Sequence, residues 1–327
     1  MDVTGAVWLI TCAVIIGLFV FDFFAHVRVP HEPTFKESAL WSAVYIGLAV
    51  VFGFVVWGLW GGEFAGEYFA GYVTEKALSV DNLFVFTVIM GTFAVPREFQ
   101  QKLLLIGIVL ALVMRAGFIA VGAAAISAFS WVFYLFGIFL VLTAIKLAKD
   151  SGHEQEVEEK RDSRIIALVR RVVPTTDHYD GDKFLTKLDG KGAVTPMLLA
   201  LIAIGFTDVL FALDSIPAIY GLTEQPYIVF TANAFALMGL RQLYFLIGGL
   251  LDRLIYLSYG LSLILAFIGV KLVLHALHEN SVPFINGGEH VAVPVISTGM
   301  SMAVIGVVLL VTTVASLAKT RGRVEQG

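Results

Sequence analysis

Charge and cysteine are both scarce in this chain. Only 15% of its 327 residues are Asp, Glu, Lys or Arg, where a soluble globular protein carries roughly 25%. The lone cysteine, Cys12, lies in an apolar run, which excludes a disulfide framework and a thiolate metal cluster. Basic residues are not in excess either: 22 Lys and Arg face 26 Asp and Glu, a net charge of −4. No nucleic-acid partner of the kind that needs a basic surface is expected. Nor does any nucleophile–base pair or cofactor motif appear, so the chain does not read as an enzyme.

What is abundant is apolar surface. Hydrophobic residues make up 58% of the sequence and the mean hydropathy is +0.86, a composition suited to a lipid bilayer. Apolar runs long enough for a helical span occur nine times, over Ala6–Ala25, Ala39–Trp60, Val73–Val95, Leu103–Ile126, Trp131–Ala148, Val194–Ile219, Ile228–Leu250, Leu254–Leu277 and Val291–Leu317. The expected architecture is an all-α, polytopic membrane helix bundle of nine transmembrane helices, forming one transmembrane domain over 1–327. No basic residue precedes the first run and no small-residue cleavage site follows it, so it is expected to be a retained span.

Loop charge gives the orientation. Arg28 and Lys36, Arg97 and Lys102, the 149–193 segment, Arg253, and Lys319 with Arg321 and Arg323 fall on alternate loops, whereas 61–72, 127–130, 220–227 and 278–290 hold no Lys or Arg. Basic loops stay in the cytoplasm. A multi-pass protein of the cytoplasmic membrane is predicted, N-terminus outside and C-terminus inside. The 149–193 segment is then a cytoplasmic loop. It opens with a charged helix that stops at Pro174, and Asp189-Gly190 turns a small hairpin after Phe184–Leu188. Its Asp177, His178, Asp180 and Asp182 do not match an EF-hand and read as solvated loop residues.

Two segments 133 residues apart repeat one pattern. Thr74-Glu75 leads to Asp81-Asn82, and Thr207-Asp208 leads to Asp214-Ser215. The following span of each half carries an arginine, Arg115 and Arg241, and the third ends near Ile145-Lys146-Leu147 or Val270-Lys271-Leu272. Spans 3–5 and 6–8 therefore read as a 3+3 inverted repeat, because two consecutive copies of an odd number of spans must face opposite ways. Such repeats place a substrate site where they meet. Helix phase puts Glu75 on one face with Asn82, and Asp208 with Ser215, while Asp81 and Asp214 lie about 100° round.

Acids at membrane depth need a partner, a cavity or an ion. Glu75, Asp81, Asn82, Asp208, Asp214 and Ser215 are the candidate metal ligands; their hard oxygens suit Mg²⁺, Ca²⁺ or Mn²⁺. Arg115 and Arg241 are expected to pair with the acids. Asn233 is expected as a supporting hydrogen bonder and Asp22 as an interfacial acid near the cytoplasmic end of the first span. Glu75 is expected near the outer interface, with Lys76 snorkelling beside it.

The stretch Gly71-Tyr72 into Glu75-Lys76-Ala77-Leu78-Ser79-Val80-Asp81-Asn82-Leu83-Phe84-Val85, together with Phe211-Ala212-Leu213-Asp214-Ser215-Ile216-Pro217-Ala218, resembles the two signatures of the TerC family of integral membrane proteins, and within it the Alx-type manganese exporters. Thr231-Ala232-Asn233 and Gly239-Leu240-Arg241 are similar to the stretch that follows the second signature. The resemblance implies a LysE-like secondary transporter that exports Mn²⁺ from the cytoplasm, with protons as the counter-ion and no permanently bound cofactor. Glu75, Asp81, Asp208 and Asp214 become the carried-over cation ligands. It also implies a link to tellurium resistance, expected to be indirect because tellurite is an anion. Many members carry glutamate where this chain has Gly205. The alternative expectation is a membrane scaffold for the maturation of other membrane or secreted proteins, docking them through the 149–193 loop.

Overall fold

The computed structural model describes residues 1–28, 31–129, 131–150, 175–176, 178–188, 191–247, 255–280, 282–283 and 285–324. Ten α-helices run through these residues: α1 (Gly5–Asp22), α2 (Phe35–Trp60), α3 (Gly62–Thr92), α4 (Arg97–Ala128), α5 (Val132–Asp150), α6 (Pro196–Tyr220), α7 (Pro226–Leu237), α8 (Leu240–Ile247), α9 (Leu257–His278) and α10 (Thr298–Val324). The helix starts follow local chemistry. Thr4 and Thr34 cap α1 and α2 by accepting from Val7 N and Glu37 N, while Pro196 and Pro226 occupy first-turn positions of α6 and α7, where no amide is needed.

Eight candidate spans are long and apolar enough to cross a membrane, α7 and α8 counting as one. The remaining expected span, the third, differs from its sequence-based reading. It begins at Gly62 instead of Val73, because Gly61 (φ +98°) turns the chain directly out of α2 into a 31-residue helix. At 1.5 Å per residue α3 is about 46 Å long. Glu63, Glu67, Glu75, Lys76 and Asp81 make it too polar to register as an apolar span, and its first eleven residues replace the expected outer loop. The protein is an all-α polytopic membrane protein.

The seventh span is broken. α7 ends at Leu237 and α8 starts at Leu240, with Gly239 at φ +78° between them. An added Cβ there would lie 2.8 Å from the Tyr45 Cβ, so both the backbone angle and the close approach of α2 require glycine. The broken span is also the most enclosed, whereas the α1 and α10 windows are mostly exposed and carry a lipid-facing apolar surface that includes Leu9, Ile10, Val307 and Leu310.

Packing between the two sets of helices follows one rule. α3 lies against α7, α4 against α6, and α5 against α9. The third pair is in closest contact: Gly137 of α5 faces Gly269 of α9, next to Val273 and Val141 respectively. Each first helix thus meets the other set's second helix, and the third helices meet each other.

Outside the bundle, β1 (Leu185–Leu188) pairs antiparallel with β2 (Lys191–Val194), the hairpin expected around Asp189-Gly190. The expected charged helix before Pro174, Asp177 and the turn residues lie outside the described residues. The hairpin segment is fastened to the bundle. Lys102 donates to Asp182 Oδ2 at 2.7 Å, and the Tyr179 hydroxyl donates to the Phe93 carbonyl at 2.8 Å. Asp180 accepts from Thr186 and Lys183, bonds that hold its carboxyl below the ordinary range. These aspartates are committed to loop structure.

Candidate functional site

Four helices converge on Arg115. α4 carries the arginine to a fully enclosed position, 0% exposed. Its guanidinium donates to Asp208 of α6 through two parallel bonds, Nε to Oδ2 at 3.2 Å and Nη2 to Oδ1 at 3.0 Å. Nη1 donates to Glu75 Oε1 of α3, to Ser215 Oγ of α6 at 3.2 Å and to Asn233 Oδ1 of α7 at 2.9 Å. Ser79, one turn on from Glu75, donates to the same Glu75 oxygen at 3.3 Å. The planar fork of arginine suits this task, since it meets a carboxylate with two bonds and still has donors left.

Helix spacing explains the arrangement. Asp208 and Ser215 are seven residues apart on α6, and Glu75 and Ser79 four apart on α3, so each helix offers two polar groups on one face. Glu75 is enclosed by the bundle. It is thirteen residues into α3, about 20 Å along its axis, and is 0% exposed.

The charge count is uneven. Two carboxylates, Glu75 and Asp208, share one guanidinium, which leaves one negative charge over if both are ionised. The second Glu75 oxygen, Oε2, is buried without a hydrogen-bond partner. Thr74 Oγ1 and Thr207 Oγ1, from the residues that open the two repeated motifs, are likewise buried and unpartnered. Buried orphan oxygens cost on the order of 1–3 kcal/mol each. A carboxylate oxygen in this position accepts a proton or a hard cation. Among the described residues, no three His, Cys, Asp or Glu side chains converge as a ready-made metal cage.

The other predicted residues are placed as follows. Asn82 is buried on α3, on the Glu75 face. Asp81 belongs to α3, but its side chain lies outside the described residues. Asp214 turns away from the centre and accepts from Thr143 Oγ1 of α5 at 3.3 Å. Gly205 faces α4, where an added Cβ would sit 3.0 Å from Leu110 Cδ2.

Arg241 does not join the central acids. Its Nη2 donates to Asp22 Oδ1 at 2.8 Å and its Nη1 to Gln101 Oε1 at 2.9 Å. Asp22 is accordingly a buried counter-ion, 5% exposed, and not an interfacial acid. The two repeated arginines therefore have different partners.

Lys76 does not snorkel. Its ammonium donates to the Ala236 carbonyl at 2.9 Å and lies 3.4 Å from the Met238 carbonyl, at the open end of α7. A cation at a helix C-terminus meets both the dipole and the freed carbonyls. Lys76→Met is expected to lower stability by on the order of 1 kcal/mol, measured as a shift of thermal unfolding in detergent. Retention of that interaction by Lys76→Arg is expected to restore most of the loss.

Near the Gly61 end of the bundle, a cavity of about 300 Å³ is lined by Glu67, Thr223, Glu224, Lys271 and His275 among others. His275 lies 3.0 Å from Glu224, and its hydrogen bond holds that carboxyl below the ordinary range.

Comparison with known proteins agrees with the motifs. The model of the integral membrane protein TerC family matches residues 60–323. An uncharacterized membrane protein of Mycobacterium tuberculosis is 53% identical over 326 residues, covering 99% of this chain and 82% of its own length. One from Myxococcus xanthus is 38% identical over 314 residues, 96% of this chain and 92% of its own. The Alx protein of Escherichia coli K12, named for a suggested role as a membrane-bound redox modulator, is 38% identical over 257 residues, 76% of this chain and 78% of its own. No solved structure matches the chain. The family match contains both acidic motifs and both arginines, and the chain belongs to the TerC family of integral membrane proteins.

Proposed function

We propose that this protein is a secondary transporter that exports a divalent cation, Mn²⁺ foremost, through the Glu75–Asp208 centre in exchange for protons. The observation that carries this reading is the surplus carboxylate: two fully enclosed acids on one arginine, with Glu75 Oε2 unpartnered. Oxygen donors from Glu75, Asp208, Ser215 and Asn233 suit Mn²⁺ better than soft metals. A proton and a metal compete for the same carboxylate, so binding one releases the other and couples the two fluxes.

Three further features support it. The helix pairing α3–α7, α4–α6 and α5–α9 is what a two-fold relation between α3–α5 and α6–α9 would produce, and such a relation would bring the acids to the junction of the two halves. The broken α7–α8 span runs beside them, as in transporters with discontinuous helices. The alternation of basic loops supports an orientation with the hairpin on the cytoplasmic face. Asp81 and Asp214, one on each repeat, are further stations for the ion. The relatives' redox name does not transfer readily. With Cys12 alone the chain cannot close an intramolecular disulfide.

The test is Mn²⁺ flux in liposomes reconstituted with purified protein. Parent protein is expected to move Mn²⁺ with opposite proton movement, and Glu75→Gln to reduce the flux at least tenfold. Glu75→Gln flux equal to the parent's removes the centre from the pathway. No flux from folded parent protein favours the scaffold reading.

A further inference from the structure

We infer that His26 and the buried polar atoms around Asp22 and Arg241 form a water-holding proton seat, built from residues other than those of the Glu75–Asp208 centre. It supplies the proton half of the proposed exchange, but its existence is testable without any metal.

The seat begins where α1 changes form. After Asp22 the chain continues as a π-helix, Phe23–Val27, closed by the Arg28 amide donating to the Phe23 carbonyl at 3.0 Å. Such wider turns are frequent at functional positions. Here the turn sets His26 Nδ1 3.1 Å from Asp22 Oδ1, close enough for an ion pair yet not aligned as a hydrogen bond. The same Asp22 oxygen accepts from Arg241 Nη2 and, at 3.2 Å, from Gln242 Nε2.

Around this pair, buried polar atoms lack an aligned protein hydrogen bond. They are His26 Nδ1, Ser38 Oγ, Ser42 Oγ, Arg241 Nε and Gln242 Oε1, and each belongs to a residue no more than 7% exposed. Arg241 Nε can only donate and Gln242 Oε1 can only accept, so whatever satisfies both must donate and accept. Asp22 and Glu37 repel an anion, and a metal ion offers no acceptor for the Arg241 Nε–H. Water meets every condition. A space of about 10 Å³ lies among His26, Glu37, Ser38, Gln101, Arg241 and Gln242, roughly the volume one water requires.

Charge and access point to a proton. The groups facing His26 are Asp22 on its own helix, Glu37 and Tyr45 from α2, Arg241 from α8, and the uncharged Gln101 from α4. Lys102 of α4 is engaged by Asp182. Two carboxylates thus face one guanidinium, and a proton on His26 balances them. Glu37 and His31 connect the seat to solvent, since their side chains lie 3.3 Å apart and are 29% and 41% exposed.

Trp41 provides the reporter. Its ring meets the His26 ring edge-on, with centroids 4.5 Å apart. Tryptophan emission of the purified, metal-free protein is followed over roughly pH 5 to 8, where imidazoles titrate. The parent is expected to lose Trp41 emission reversibly in one step on acidification, and His26→Gln and Trp41→Phe are both expected to lack that step. A parent signal flat with pH, or an unchanged step in His26→Gln, overturns the seat. Should His26→Gln fail to fold, the parent-minus-Trp41→Phe difference decides alone: a step supports the seat and its absence overturns it. A protein that shows the step but moves no metal removes the exporter reading and leaves this one standing.

Discussion

Arg115→Met is expected to cost about 3–5 kcal/mol, the effect of stripping one partner from a buried ionic cluster, whereas Glu75→Gln is expected to leave stability unchanged or slightly raised. The asymmetry follows from the charge count. Without Arg115, Glu75 and Asp208 stand as two uncompensated acids in an enclosed site, and Ser215 and Asn233 each lose the donor they share. Without the Glu75 charge, Arg115 and Asp208 remain a one-to-one pair held by two bonds. Asp208→Asn falls between them, because it breaks the two-bond pair while Glu75 still balances the guanidinium; hydrogen bonds to charged groups are worth roughly 1.5–3 kcal/mol. Thermal unfolding of the detergent-solubilised variants orders them. Adding Glu75→Gln and Asp208→Asn to Arg115→Met is expected to recover part of the loss, as interacting neighbours do in double-mutant cycles. Arg115→Met as stable as the parent would mean that the cluster does not hold the bundle together. Stability held or slightly raised in Glu75→Gln, together with loss of Mn²⁺ flux, would identify Glu75 as a group kept for function.

The span pattern and the acidic motifs were legible because each rests on local information. Apolar run length located the helices, and the seven-residue spacing of Asp208 and Ser215 put both on the Arg115 face. Helix phase separated Asp214 from Asp208, and Asp214 indeed turns to Thr143. What failed required either backbone geometry or distant partners. Hydropathy ended the third span at Val73, because Glu63 and Glu67 interrupt the apolar run; a helix tolerates both, so α3 continues to Gly62 and carries Glu75 inward. The break at Met238-Gly239 lies in an unbroken apolar stretch, where composition carries no trace of φ +78°. Lys76 read as a snorkelling residue because its acceptors, the Ala236 and Met238 carbonyls, exist only once that break has formed. The Asp22–Arg241 pair joins residues 219 apart in sequence, Asp22 on α1 and Arg241 on α8. No periodicity could have signalled it, although the two arginines at matching places were a clue that each needed a counter-ion.

Gly137→Val and Gly269→Val are each expected to destabilise the protein by about 3 kcal/mol, the upper part of the usual range for overpacking a tight interior, and by similar amounts to one another. A Cβ at Gly137 would sit 2.8 Å from the Gly269 carbonyl oxygen and 3.0 Å from the Val273 amide nitrogen; one at Gly269 would sit 2.8 Å from the Gly137 oxygen and 3.0 Å from the Val141 nitrogen. These are backbone atoms, so no rotamer change relieves the contact and α5 must move off α9. The better helix propensity of a larger residue returns less than about 1 kcal/mol. Because one substitution already separates the helices, the double variant is expected to cost well under the sum of the singles. Gly306→Ala on lipid-facing α10 meets nothing within 4 Å and is expected to be neutral or mildly stabilising, which controls for composition. Thermal unfolding supplies all four values. Unequal single effects would argue against a two-fold relation at this contact. Equal effects coupled to a common loss of Mn²⁺ flux would make the α5–α9 seam the place where the two repeats move against each other, since packed glycines let helices slide where bulkier side chains would lock them.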